Sequence, residues 1–243
     1  MLEILLLVGL IIFITHTLEA VTGFGCTVLS FPFVLLLMKD LEQVKIILSI
    51  LAWVLAAYFV VTKFGYIHWK QFGIILLFAG LGMPIGMLIF KSWDANILKK
   101  ALGIFIVISA AIQLYKSFVP TSGKSSLPNV IGYIFLFAGG IVHGAFAVGG
   151  PLVVLYSAGK IPDKGQFRAT MCLLWTTLNS ILMLQFLSED KLNMGIGRDL
   201  LILLPFLIAG IFAGEAIHKK VNEVLFKKIV FASLLLVGIV MVI

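Results

Sequence analysis

The sequence predicts an all-α, polytopic membrane protein in which about eight hydrophobic segments form two internal repeats. Of the 243 residues, 61% are hydrophobic and 12% are charged, whereas a soluble domain carries about 25% charged residues. The mean hydropathy is +1.17, and apolar runs of the roughly 20 residues needed to cross a bilayer recur along the chain. So little polar sequence cannot cover so much apolar surface in water, so we expect these runs to lie in lipid.

Eight apolar segments can be marked. They cover residues 2–38, 46–62, 72–90, 101–119, 130–158, 169–187, 200–217 and 224–243. At about 1.5 Å per residue, the first and the fifth are too long for a straight crossing of a hydrocarbon core about 30 Å thick. Glycines interrupt both, in Gly23-Phe24-Gly25 and in Gly149-Gly150-Pro151. These two segments are therefore predicted to be broken or re-entrant.

Features of the first half recur in the second half. A shift from 82 to 210 places Gly82-x-x-x-Gly86 on Gly210-x-x-x-Gly214, and a similar shift from 23 to 147 places Gly23-Phe24-Gly25-Cys26 on Ala147-Val148-Gly149-Gly150. The sequence thus predicts two repeats, residues 1–119 and 129–243, joined by a polar linker at 120–128. For the paired glycines of the first match we favour a role in close helix packing.

The lysines and arginines bear on the topology. If every segment crosses once, one side of the membrane holds 12 of the 18 Lys and Arg residues and the other side holds 6. The richer side is then expected to be cytoplasmic, with both termini outside. If the first and fifth segments are re-entrant, each half has three crossings, the repeats are inverted and the charge split decides little. The charge bias favours broken crossings, which we adopt, although the length of the two segments favours hairpins.

Other classes of function are disfavoured. The net charge of +7 does not indicate a nucleic-acid partner, because the basic residues are scattered between apolar runs. Cys26 and Cys172 lie in apolar surroundings, so we expect neither a disulfide nor a metal site. No paired carboxylates, nucleophile elbow or phosphate-binding loop is present, so we expect no enzymatic activity and no cofactor.

The two glycine breaks indicate binding most directly. Non-helical backbone at membrane depth survives only inside protein or along a watery cavity. A new helix is expected after each break, and a buried helix N-terminus offers unpaired N–H groups and partial positive charge to an anion. The alternative is that these glycines only permit close packing. The residues expected to contact an anion are Thr22, Gly23, Phe24, Gly25, Cys26, Thr27, Gly149, Gly150 and Pro151.

Three further polar side chains are candidates for the same site. Arg168 opens the sixth segment, where a guanidinium can clamp an oxyanion through paired N–H groups. Lys45 opens the second segment at nearly the equivalent position. The alternative for both is ordinary snorkelling to the interface, which we favour for Lys45 and weigh equally for Arg168. Asn179, inside the sixth segment, can line a cavity.

Three ionisable residues lie deep in apolar segments. Glu19 and His16 lie in the first segment and His143 lies in the fifth, where a shift of 124 superposes it on Glu19. Ionisable groups at membrane depth are costly and often functional, and a Glu and a His can exchange a coupling proton. From the sequence we favour the alternative, a neutralised Glu and a His satisfied within the bundle.

At both breaks the sequence resembles the TauE/SafE family of sulfite and organosulfonate exporters. The first match is Thr22-Gly23-Phe24-Gly25 followed by Pro32, and the second is Gly149-Gly150-Pro151-Leu152-Val153-Val154-Leu155-Tyr156 followed by Phe167-Arg168-Ala169-Thr170. The resemblance covers essentially the whole chain. It implies transport of small sulfur-containing or organic anions in a prokaryotic inner membrane, with Arg168 and both breaks at the substrate. Cys26-Thr27 departs from the glycine-richer family pattern, which leaves the substrate open.

The leading hypothesis is a multi-pass secondary transporter of the cytoplasmic membrane, working by alternating access. Its partners are a small anionic substrate and the lipid bilayer, with a coupling proton or sodium ion, and a homodimer, left open. The rivals are an uncoupled anion channel of the same architecture and a membrane-embedded enzyme or assembly factor.

Overall fold

The computed structural model describes residues 2–118, 128–217, 235 and 239. Within this part the chain forms nine α-helices and one 3-10 turn, and no strand. They are α1 (Leu2–Thr22), α2 (Cys26–Met38), α3 (Leu41–Thr62), the 3-10 turn (Phe64–Tyr66), α4 (Trp69–Ser92), α5 (Ala95–Phe118), α6 (Asn129–Phe146), α7 (Gly150–Lys160), α8 (Lys164–Ser188) and α9 (Met194–Ile217). Seven of them are long and apolar enough to cross a membrane. The predicted helical membrane fold is confirmed.

Two acidic caps fix where crossing helices begin. The Asp40 carboxylate accepts the backbone N–H groups of Glu42 and Gln43 at the start of α3. Asp163 likewise accepts the N–H of Gln166 at the start of α8. A carboxylate in this position satisfies N–H groups that have no partner within the helix. Both caps therefore mark where the chain enters the membrane from its surface.

Glycines bring α4 and α6 into backbone contact. A Cβ at Gly82 would overlap the backbone oxygen of Phe137, and one at Gly86 would overlap that of Ile141. Small residues permit such close approach, which stabilises helix pairs in lipid. The predicted packing role of these two glycines is confirmed.

The α1–α2 segment is a hairpin that begins and ends at one membrane face. Gly9 contacts Phe206 and Gly214 contacts Ala20, so α1 runs parallel to α9 and begins where α9 begins. Residues Gln43 and Asp199 join the starts of α3 and α9 through a 2.8 Å hydrogen bond. Because α2 ends just before α3, both ends of the hairpin lie at this face, which we call face A.

The α6–α7 segment is a second hairpin, from the opposite face. Gly140 lies against Ala79 and Gly144 against Met83, so α6 runs parallel to α4, which begins where α3 ends. The Lys160 ammonium at the end of α7 donates to the Asn129 side chain at the start of α6, over 2.9 Å. Both ends of this hairpin therefore lie at the second face, face B.

Segments 1 and 5 are broken at their glycines, as predicted, but the preference for broken crossings over re-entrant hairpins is wrong, because both ends of each segment lie at one face. The return helices α2 and α7 have only 13 and 11 residues, about 20 and 17 Å at 1.5 Å per residue, which is too short to span a bilayer. The Lys and Arg count that assumed eight crossings therefore does not apply. The two hairpins enter from opposite faces, as expected of inverted repeats. The repeat boundaries stay a prediction, and segment 224–243 lies almost wholly outside the described residues.

Candidate binding site between the two hairpin turns

The first turn, residues 23–25, reverses the chain with two left-handed glycines. Gly23 has φ 84° and Gly25 has φ 106°, values that glycine adopts without steric cost. The N–H of Gly23 donates to the Glu19 backbone oxygen, which ends α1. A Cβ on Gly23 would meet the backbone of Arg168 at 2.7 Å. The sequence thus places a tight turn against the start of α8.

The second turn, residues 147–149, is built differently. Ala147 carries the left-handed conformation at φ 58°, and its N–H donates to the His143 backbone oxygen. Gly149 packs on the backbone of Gly139 with no room for a side chain. Pro151 lies in the first turn of α7, where its missing N–H costs nothing.

A small cavity lies where the two turns meet, near the middle of α3 and α8. Its volume is about 20 Å³, room for about one water molecule. Its lining comes from both hairpins and both crossing helices. The lining residues are Glu19, Gly25, Thr27, Val28, Ala52, His143, Ala147, Val148, Gly150, Trp175 and Asn179.

Polar atoms without partners concentrate around this cavity. His143 and Asn179 are each 2% exposed. The two side chains are neighbours, but neither His143 ring nitrogen nor the Asn179 side-chain oxygen makes a hydrogen bond of good geometry. The N–H groups of Val148 and Gly150 at the second turn also meet no acceptor within the described part of the chain. Buried polar groups are normally satisfied, so this concentration indicates a place for a polar guest.

Trp175 connects both turns to α8. Its indole N–H donates to the Gly23 backbone oxygen over 3.1 Å. The same ring stacks on His143, with centroids 5.6 Å apart. The side chain therefore contacts each hairpin beside the cavity.

Lys45 and Arg168 lie beside the cavity rather than in it. The Lys45 ammonium is 1% exposed, donates to the Gly144 backbone oxygen over 2.9 Å and lies over the Phe90 ring at 3.9 Å. The Arg168 guanidinium donates to the Ala20 backbone oxygen over 2.9 Å. A cation near the C-terminal end of a helix is electrostatically favourable. Each of the two side chains is directed at a backbone carbonyl, and contact of either one with a substrate stays a prediction. The buried position of Lys45 does not agree with the snorkelling that we favoured for it.

Glu19 occupies the N-terminus of α2. Its carboxylate accepts the Cys26 N–H over 2.7 Å, and its side chain is 2% exposed. The amide expected to bind an anion at the first break is thus already paired. His16 is fully buried and bonds through Nδ1 to the Ile12 backbone oxygen, and it does not line the cavity.

The remaining predicted residues support the turns. The Thr22 hydroxyl donates to the backbone oxygens of Leu18 and Phe24, and the Phe24 ring packs edge-on against Phe167. Gly25, Thr27 and Gly150 line the cavity, while Thr22, Gly23, Phe24, Cys26, Gly149 and Pro151 do not. Ala52 and Val28 were not predicted, because a small apolar residue that lines a cavity has the same sequence pattern as one that packs in the core.

Comparison with known proteins gives one match. The family described as sulfite exporter TauE/SafE matches residues 8–241. The chain belongs to this family. No curated protein and no solved structure matches it significantly. TauE/SafE proteins are membrane transporters, which agrees with the seven membrane-length apolar helices in the described part of this chain.

A wide depression at face A leads towards the cavity of this TauE/SafE protein. Its volume is about 850 Å³, and it reaches inward to Phe90 and Gln185. Beneath it, Lys45 lies over the rings of Phe90 and Phe186, so this layer separates the depression from the cavity. The lining side chains with charge are Lys39, Asp40, Glu42, Lys91, Lys99, Glu189 and Lys191.

Two of these charges are held by local hydrogen bonds. The pKa of Lys191 is raised because its ammonium bonds to the Glu42 carboxylate, at 2.9 Å. The pKa of Glu189 is lowered because Gln185 donates to its carboxylate. Both groups are therefore charged at neutral pH. Lys191 pairs with Glu42 and Lys91 pairs with Glu189, so within the described residues Lys39 and Lys99 are the lysines of this lining outside those ion pairs.

Proposed function

We propose that this protein is a secondary transporter that carries a small oxyanion, of the sulfite or organosulfonate class, across the cytoplasmic membrane by alternating access. The observation that supports this proposal most directly is the polar cavity between two hairpins that enter the membrane from opposite faces. An oxyanion of this class has several oxygens that accept hydrogen bonds. The N–H groups of Val148 and Gly150 supply donors for them. A neutral His143 ring adds one N–H, and Asn179 can donate only through its amide nitrogen, because its unpaired atom, Oδ1, is an acceptor.

The hairpin geometry supports alternating access. The cavity is closed to about 20 Å³, so a sulfite-sized guest requires the turns to separate. Opening towards face A requires the Lys45 layer to move, and opening towards face B requires the Arg168 contact with Ala20 to move. Midplane sites between inverted, discontinuous helices work in this way in other secondary transporters.

The same layer closes the cavity towards face A. Lys45, Phe90 and Phe186 separate the wide depression from the cavity, with Phe186 only 4% exposed and Lys45 1% exposed. A carrier is closed on at least one side in each of its states, which agrees with this arrangement, and counterflow distinguishes it from a channel with a closed gate.

The test is flux of labelled sulfite into liposomes that contain the purified protein. We expect saturable uptake and counterflow, in which unlabelled sulfite inside accelerates entry of the label. Asn179→Leu should abolish most of the flux because it removes amide groups from the cavity at similar volume. Asn96→Leu, at an exposed position on α5, is the matched control and should transport normally. Linear, non-saturable flux without counterflow would instead indicate a channel, and equal flux by both variants would remove the cavity from the pathway.

A further inference from the structure

The Glu19 carboxylate lies at the N-terminus of α2, where a substrate anion is expected to bind. Glu19 binds the Cys26 N–H at the N-terminus of α2, and helix N-termini bind carboxylates and free anions for the same electrostatic reason. Glu19 also lines the cavity together with His143 and Asn179. Substrate and carboxylate therefore compete for one small, buried space.

No neighbouring cation neutralises both negative charges. The titratable groups near Glu19 and the cavity are Cys26 on α2, Lys45 on α3, His143 on α6, and Cys172 and Arg168 on α8, with His16 on α1 itself. Lys45 bonds to the Gly144 backbone oxygen. Arg168 bonds to the Ala20 backbone oxygen, and no basic side chain in the described ranges forms an ion pair with Glu19. The cavity lining takes only Ala52 from α3 and nothing from α9. The Cys26 N–H and the N-terminus of α2 stabilise one negative charge in this buried site, whereas a second, unpaired negative charge is strongly disfavoured.

We infer that Glu19 takes up a proton when the substrate anion binds, so that one proton and one anion cross together. This inference rests on the proposed transport function. On the open face, a proton from water adds to a carboxylate oxygen of Glu19, which removes its charge and weakens its bond to Cys26. The anion then takes the α2 N-terminus and the donors of the second turn. On the other face the anion leaves, the proton returns to water, and the carboxylate binds Cys26 again.

The two hairpins carry different ionisable residues at equivalent positions, and this difference sets the number of protons coupled to each anion. The position equivalent to Glu19 in the second hairpin, at a shift of 124, is His143. The cavity lining therefore contains one carboxylate rather than two. One titrating carboxylate gives one coupled proton for each anion.

The first experiment compares sulfite affinity with pH for the wild type and Glu19→Gln. Glutamine keeps an oxygen that accepts the Cys26 N–H but imitates the neutral acid. Above the titration of Glu19, wild-type affinity should fall about tenfold per pH unit relative to Glu19→Gln, as linkage to one proton requires. The titration of sulfite itself affects both proteins equally and cancels in this ratio. Glu215→Gln, which changes a carboxylate bonded to Tyr58, is the control and should behave as wild type.

Flux measurements separate this inference from the proposed function. Glu19→Gln should lose the sulfite accumulation that a pH gradient drives in the wild type. If the wild type moves no sulfite, the proposed function fails as well. If it moves sulfite and Glu19→Gln accumulates it with the same pH dependence, proton coupling at Glu19 is wrong and the transport proposal stands.

Infrared difference spectroscopy decides the matter even if Glu19→Gln does not fold. Adding saturating sulfite to the wild type above neutral pH should produce a protonated-carboxyl band at the expense of a carboxylate band. Glu19→Asp should shift that band. A wild-type spectrum without it would overturn the inference.

Discussion

Lys45 and Arg168 make matching contacts in the two halves of the chain, because each donates to the first helix of the other half's hairpin. Lys45 on α3 bonds to Gly144 on α6, and Arg168 on α8 bonds to Ala20 on α1. Each donor is the fifth residue of its helix, and the paired positions are offset by 123 and 124 residues, from 45 to 168 and from 20 to 144. Each half of the chain thus holds the hairpin of the other half through one hydrogen bond.

Breaking one of these bonds should open one side of the protein. In a Cys172→Ala background, Cys26 is the only cysteine, and it is fully buried next to the cavity. Lys45→Met should raise its labelling by an impermeant thiol reagent from face A, and Arg168→Met should raise it from face B. We expect at least about tenfold, since a hydrogen bond from a charged donor contributes about 1.5–3 kcal/mol.

The control for this labelling is Lys70→Met, which removes an exposed charge at the start of α4 and should change neither rate. Equal acceleration from both faces by Lys45→Met would contradict the assignment of that bond to face A.

The two glycines of the first turn should differ in their tolerance of alanine. Both have positive φ, which costs a non-glycine residue about 1–2 kcal/mol. A Cβ on Gly25 has only Leu29 nearby, at 3.9 Å, whereas one on Gly23 also collides with the Arg168 backbone. Gly23→Ala should therefore lower the thermal unfolding temperature in detergent clearly more than Gly25→Ala. The reverse order would show that the turn is built differently.

Neighbouring glycines of α4 provide an internal test of helix packing. Gly82→Ala should destabilise the protein, because its side chain would overlap α6. A Cβ on Gly80 meets nothing within 4 Å, so Gly80→Ala should be neutral or stabilise by up to about 1 kcal/mol through helix propensity. Thermal unfolding of the two variants in the same detergent checks this. Similar losses in both would contradict the close contact between α4 and α6.

The lysines of the face A depression should affect the rate at which anions arrive. Changing Lys39 and Lys99 to Gln should slow initial sulfite uptake from face A about two- to threefold at low ionic strength, because clustered charge steers ligands over long range. The difference should vanish in concentrated salt, which screens exposed charges. Lys70→Gln, at face B, is the control. A defect that does not depend on salt would indicate that these lysines bind sulfite directly rather than attract it from a distance.

Composition and segment length predicted the fold class because lipid permits few alternatives to apolar helices. The glycine breaks were found through the excess length of their segments. The sequence did not show that the chain turns back at each break, because the Lys and Arg count assumed a single crossing for each segment. Two left-handed glycines in one turn reverse the chain, but a glycine pair in sequence does not reveal its φ angles.

The site was predicted in part. The part that was missed is where the long side chains of Lys45 and Arg168 end. Glu19, His143 and Asn179 line the cavity, though their roles remain predictions. Lys45 and Arg168 were placed near the correct depth, but their long side chains end on helix carbonyls in the other half. Such partners, 99 and 148 residues away, cannot be derived from one sequence.

The indole of Trp175 has a mechanical consequence. Its N–H bonds to the Gly23 carbonyl and its ring stacks on His143, so one rigid side chain of α8 connects the two hairpin turns. Under the proposed mechanism, we expect displacement of one turn to disturb the position of the other. A link of this kind would make simultaneous opening to both faces less favourable, and simultaneous opening is what would let ions leak down the membrane potential.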